Sequence, residues 1–119
     1  MKIKTYNSES FRNEYFNSTP ELEKLFSRSI EDFFCLRIED ISERVLKPIY
    51  PSREESHTII FLTSGSYKTK IGFKEYKVTP NQIVVFQAGA VFSTEHISTN
   101  VKGYACHFHP DILVGEFRL

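Results

Sequence analysis

Between His57 and Glu95 the chain reads HTIIFLTSGSYKTKIGFKEYKVTPNQIVVFQAGAVFSTE, and no helix of ordinary length fits inside it. Short apolar or alternating runs are cut by Ser64-Gly65-Ser66, by Gly72, by Thr79-Pro80-Asn81 and by Ala88-Gly89-Ala90. Each break is turn chemistry. His57–Thr63 is apolar on both faces and reads as a strand buried on both sides, as does Ile83–Phe86. Tyr67, Thr69 and Ile71 alternate with Lys68 and Lys70, the pattern of a strand with one face inward. Phe73–Val78 supplies a second hairpin arm. The stretch therefore predicts the wall of a small antiparallel barrel.

Upstream, NSTPELEKLF carries helix-start signals. Ser18 or Thr19 caps, Pro20 suits the first turn, and Glu21 and Glu23 favour the positive helix end. Leu22, Leu25, Phe26, Ile30 and Phe33 follow helical spacing, so a short amphipathic helix is expected over 20–33. Residues 1–17 are polar with isolated apolar anchors at Phe11, Tyr15 and Phe16, and read as an arm. From Phe34 the period changes to two: Phe34, Leu36 and Ile38 alternate with Cys35, Arg37 and Glu39. Asp40–Lys47 fits either a turn or a short strand. Pro48 and Pro51 interrupt the chain, and Ser52–Ser56 reads as a polar loop. Downstream, Val91–His96 and Val101–His109 are the last strands, and Pro110 ends the ladder. One helix and roughly eight short strands make an all-β sandwich or jelly-roll barrel.

A chain of 119 residues holds one domain. Its 15 basic and 15 acidic residues cancel, which removes the main argument for nucleic-acid binding. Lysines and aromatics interleave from Tyr67 to Lys77, as on an oligonucleotide-binding face, but a barrel with lysines outward gives the same pattern. Cys35 and Cys106 are too far apart in the chain for a CxxC redox or zinc pair. The N-terminus lacks the apolar core of a signal peptide and no run spans a bilayer, so two reduced, mostly buried thiols in a cytoplasmic protein are expected. No nucleophile elbow or phosphate-cradling glycine loop occurs. Cys106 and His107 face opposite sides of a strand and cannot pair.

Two segments, GSYKTKIGFKEYKVTPNQIVVFQAGAVF and GYACHFHPDIL, with the lead-in PSREESHTIIFLTSG, resemble the N-terminal regulatory domain of AraC-type transcription regulators. The resemblance covers residues 48–114 and implies a cupin-like double-stranded β-helix, or jelly-roll barrel. It divides the chain into an arm, residues 1–17, and a single regulatory domain, residues 18–119. The family's C-terminal helix-turn-helix DNA-binding domain has no counterpart here. The chain stops abruptly at Gly115-Glu116-Phe117-Arg118-Leu119, with apolar residues at its end where a natural tail is usually more polar, so it reads as a fragment. DNA would be reached only through the missing domain.

Metal-dependent cupins resemble this barrel too, but their ligand positions fall within Pro51–Glu54, near Thr58 and near Phe92, where the ligand set is absent. No metal, cofactor or catalytic residue is expected. His107 and His109 share a strand face about 7 Å apart; the FHPD match assigns His109 local hydrogen bonding instead of zinc. Taking its phase from the family's inward Glu position, the resemblance puts Thr58, Ile60 and Leu62, then Tyr67, Thr69 and Ile71, then Phe92, inside the barrel. On the last strand either Tyr104, Cys106 and Phe108 or Ala105, His107 and His109 point in. The candidate ligand residues are thus Thr58, Ile60, Tyr67, Thr69, Phe92, Tyr104 and His107, against the plainer reading that they fill the core. Their hydroxyls, imidazole and aromatic faces suit a sugar or another small polar metabolite. The resemblance implies a metal-free, homodimeric effector sensor with the arm as its movable element; the alternative is a small metal-dependent cupin enzyme of isomerase or dioxygenase type.

Overall fold

The computed structural model describes residues 3–16, 20, 33–42, 45 and 48–111. Among these are β1 (Lys4–Tyr6), α1 (Ser8–Tyr15), β2 (Phe33–Arg37), α2 (Ile38–Ile41), β3 (Ile49–Glu54), β4 (His57–Ser64), β5 (Tyr67–Ile71), β6 (Lys74–Val78), β7 (Ile83–Phe86), β8 (Phe92–Ile97) and β9 (Lys102–Phe108). The helix expected over 20–33 lies outside the described residues apart from Pro20 and Phe33, and Phe33 begins β2. The helical turn expected after Asp111 lies outside them as well.

Two sheets face each other, one ordered β1-β3-β8-β5-β6 and the other β2-β9-β4-β7. From β3 onward the chain changes sheet at nearly every connection; only the β5–β6 hairpin stays in one. That alternation closes two sheets around one interior and makes this a jelly-roll barrel. Period-two patterning drives it. Leu62, Tyr67, Thr69, Val84, Phe86, Phe92 and Ala105 all face inward and are buried, whereas Lys68 and Lys102 are exposed. No helix among the described residues is long and apolar enough to cross a membrane.

Several expectations need correction. The polar run Ser52–Ser56 is not simply a loop: β3 extends to Glu54, and Ser52, Glu54 and Ser56 are buried. Pro51 is accommodated because the pairing with β8 shifts register between Ile49 and Ser52, a bulge where no ladder donor is needed. Ile83 and Val85 are 62% and 48% exposed, so β7, an edge strand, is buried on one face only. Ile38 is buried but opens α2 instead of continuing β2. Cys35 is exposed and Cys106 half-buried, so neither thiol is deeply buried.

The arm also contains regular structure, since β1 and the eight-residue α1 both lie in it. Asn7 Oδ1 accepts from Ser10 N (2.8 Å) and Ser10 Oγ accepts from Asn7 N (3.0 Å), a reciprocal cap that starts the helix. Phe11 and Tyr15, one turn apart, point to one side. Tyr15 is 2% exposed, and its ring lies 4.9 Å from Phe11 and 5.9 Å from Tyr6. Phe11 in turn meets Phe92 of the barrel at 6.1 Å. Burial of these rings, not helix propensity, holds so short a helix.

β9 is tightly flanked by β2 and β4. Gly103 pairs with Leu62, and a Cβ built on it would overlap the Phe61 carbonyl oxygen. Gly103→Ala is therefore expected to cost about 3 kcal/mol or more in urea unfolding, because the obstacle is rigid backbone. Gly72 also has a positive φ (61°), but nothing lies within 4 Å of its added Cβ. Gly72→Ala should cost only about 1 kcal/mol, the backbone strain alone.

Candidate ligand-binding site

The sheets do not close completely on one another. A cavity of about 160 Å³ remains between them, walled by Ile60 and Leu62 of β4, Tyr67 of β5, Phe86 of β7, Phe92 and Ile97 of β8, and Ala105 of β9. Ser8, Phe11 and Arg12 of α1 and Ile38 and Ile41 of α2 complete the wall. Phe16, which bridges to Val45, lines it too. Ser8 and Arg12 are four residues apart and share one helix face.

Polar side chains gather on one side. Thr58 and His107 are direct cross-strand partners on β4 and β9, and both face inward. Thr58 Oγ1 lies 2.8 Å from His107 Nδ1 and 3.5 Å from Glu54 Oε2. Ser8 Oγ lies 2.7 Å from His107 Nε2. Glu54 reaches the site because β3 and β4 meet at a two-residue corner, which sets position 54 against position 58. The result is a hydrogen-bonded row, Glu54–Thr58–His107–Ser8, drawn from both sheets and α1.

Such a row can be filled in two ways. With Glu54 ionised, Ser8 donates to Nε2, Nδ1–H donates to Thr58, and Thr58 donates to the carboxylate. With Glu54 protonated, each bond reverses, and Nε2–H donates to Ser8. Burial raises Glu54 to about 8, with the Thr58 hydrogen bond only partly offsetting it. Burial, and then the positive charge of Arg12, lowers His107 to about 4. Near pH 7 both groups are accordingly neutral, and their 3.8 Å approach is not an ion pair.

Of the seven candidate residues, Thr58, Ile60, Tyr67, Phe92 and His107 line this cavity. The Tyr67 hydroxyl is engaged by Thr94 Oγ1 at 3.0 Å. Thr69 is buried, but its hydroxyl donates to the Ser93 carbonyl (2.7 Å) and it is not part of the wall. Tyr104 is a correction. With Ala105 and His107 facing in, strand alternation turns Tyr104 outward, and it is 51% exposed. His109 lies beyond the end of β9, where its Nδ1 accepts from Asp111 N (3.2 Å).

Sequence reasoning missed Glu54, Ser8 and Arg12. Two signals were present: Ser52, Glu54 and Ser56 keep a period of two through a polar run, and Asn7-x-x-Ser10 followed by Phe11 and Tyr15 marks a capped helix. Among the described residues no three His, Cys, Asp or Glu side chains converge as a metal site. Glu54 and His107 contribute two such donors.

Glu54 generates a pH prediction. Its folded pKa is raised, so the native state holds the extra proton and its stabilising effect is lost as pH rises towards 8. His107 acts oppositely, losing native stability as pH falls from about 6.5 towards 4. Between about 4.5 and 6.5 the two slopes offset each other. Above pH 6.5 only Glu54 remains, so stability should fall by about 1.4 kcal/mol per pH unit up to pH 8. Glu54→Gln, which copies the protonated acid, should flatten that limb in urea titrations at pH 6.5 and 8.

No family model matches the chain, and no curated protein matches it. Among solved structures it is similar to KdgF from Halomonas sp., with a TM-score of 0.52 and 11% identity over 71% of this chain and 77% of that one. It is also similar to the conserved SPY1581 protein of unknown function from Streptococcus pyogenes, with a TM-score of 0.48 and 14% identity over 81% and 95% of the two chains. The likeness to KdgF supports a cupin-type jelly roll for this chain.

Proposed function

We propose that this barrel is a metal-free binding domain for a small organic molecule, serving as the sensing part of an AraC-type regulator. One observation carries the reading: an apolar cavity with a single polar side, whose wall is shared between the barrel and α1. A ligand seated there touches both, so its affinity differs between docked and released α1. That difference is what a sensor needs, since an effector shifts a conformational equilibrium only by its differential affinity. Control of DNA and assembly into a homodimer belong to the same reading. Among the described residues the two convergent donors Glu54 and His107 fall short of the three or four ligands of a first-row metal centre, which favours sensing over the cupin-enzyme alternative.

The cavity also narrows the ligand class. An apolar void of about 150 Å³ is the size that holds benzene. Aliphatic and aromatic side chains form most of the wall, and a sugar would leave hydroxyls unpaired against them. Arg12, Ser8 and His107 can meet one polar head. The best-fitting ligand is a small aromatic or short-chain carboxylic acid, its acid group towards Arg12 and its apolar body against Ile60, Phe86 and Phe92.

Calorimetric or NMR titration with benzoate, hexanoate, benzyl alcohol and glucose tests this. The acids should bind, glucose should not, and Arg12→Gln should weaken the acids about tenfold or more. Ile60→Trp, which fills the cavity, should abolish binding while the chain still folds. Absence of binding by every compound would leave the barrel an interaction module. Stoichiometric iron, manganese or zinc after purification, lost in both Glu54→Gln and His107→Ala, would favour the metal-dependent enzyme.

A further inference from the structure

Cys35 and Cys106 lie far apart in sequence, yet β2 and β9 bring them together. In the antiparallel register Cys35 is the direct partner of Cys106, between the pairs Phe33–Phe108 and Arg37–Tyr104. His107 and Ala105 point into the barrel, so Cys106 points out, and a directly opposed partner shares its face. Both thiols thus stand side by side on the outer surface of the four-stranded sheet, Cys35 exposed and Cys106 half-buried. Directly opposed antiparallel residues have Cα atoms about 4.5 or 5.5 Å apart, and both spacings lie in the range a disulfide spans.

We propose that Cys35 and Cys106 form a dithiol modification site, which a low-molecular-weight disulfide oxidises to a cross-strand disulfide joining β2 to β9. The exposed Cys35 reacts first. Its thiolate attacks one sulfur of the small disulfide, the S–S bond breaks, and one small thiolate leaves and takes up the proton that Cys35 lost. Cys106 then loses its proton and attacks Cys35 Sγ, expelling the second small thiol. Two protein thiols are oxidised, one small disulfide is reduced to two thiols, and the protons balance. Burial raises the Cys106 thiol above its ordinary value, so the closing step, which needs its thiolate, quickens as pH rises. The clasp has a bearing on the cavity, because β2 runs directly into α2, whose Ile38 and Ile41 are part of its wall.

The test uses the full chain, purified reduced, then incubated with oxidised glutathione at pH 8 and analysed by intact mass and non-reducing peptide mapping. The expected product is a monomer lighter by two hydrogens, with Cys35 and Cys106 joined, reversed by dithiothreitol. Closing so long a loop should also raise Tm by roughly 5 °C or more. Cys106→Ser should instead retain one glutathione on Cys35, and Cys35→Ser should react far more slowly. A wild-type chain that stops at the glutathione adduct, stays reduced, or links only between molecules overturns the proposal. So does an internal disulfide that lowers Tm, since the sheet would then not be preset to accept it.

Discussion

A carboxylic acid and an imidazole share the inside of a largely apolar barrel, and their burial leaves neither charged near pH 7. Glu54 comes from one sheet, His107 and Thr58 from the other, and Ser8 from the helix that covers them. Thr58 donates to one neighbour while accepting from the other, and Ser8 can do either, so the row stays satisfied whether the acid holds its proton or not. Removing one member would strand its neighbours in a region where an unpaired polar group costs about 1–3 kcal/mol. The row therefore ties together the two sheets and α1 as well as forming one side of the cavity.

Around that row, the packing is uneven by design of the sequence. Outside the polar row the inward positions of β4, β5, β7 and β9 are mostly apolar or small; Phe86 meets Tyr67 and Phe92 across the interior, and a void remains among them. α1 and α2 close the void with few residues each. Elements this short derive their order from what they pack against. The cavity wall includes α1 as well as the barrel, with Arg12 and Ser8 on the helix face that lines it.

Much of the fold was legible because β4 is a continuous apolar run and β5 alternates inward residues with lysines, both between clear turn signals. β3 was hidden because its inward residues, Ser52 and Glu54, are polar and mimic a loop. α1 was hidden because only Phe11 and Tyr15 mark its apolar face. The site was half legible for the same reason: Thr58 and His107 stood on readable strands, while their partners Glu54 and Ser8 stood on the two unreadable elements. Tyr104 and His107 required opposite phases of one strand, and only the packed interior selects between them. The Cys35–Cys106 pairing depends on the register of β2 against β9, which sequence spacing does not encode.

Ser8 and His107 lie 99 positions apart, and their hydrogen bond is among the longest-range contacts in the chain. On a ribosome α1 emerges before β2 to β9 and has to wait for β9 before its imidazole partner exists. Non-local closure of this kind slows folding and leaves apolar surface uncovered meanwhile. The ring face of Phe11 and Tyr15 is then a hydrophobic patch left exposed, and the polar row can assemble only once β9 has been made.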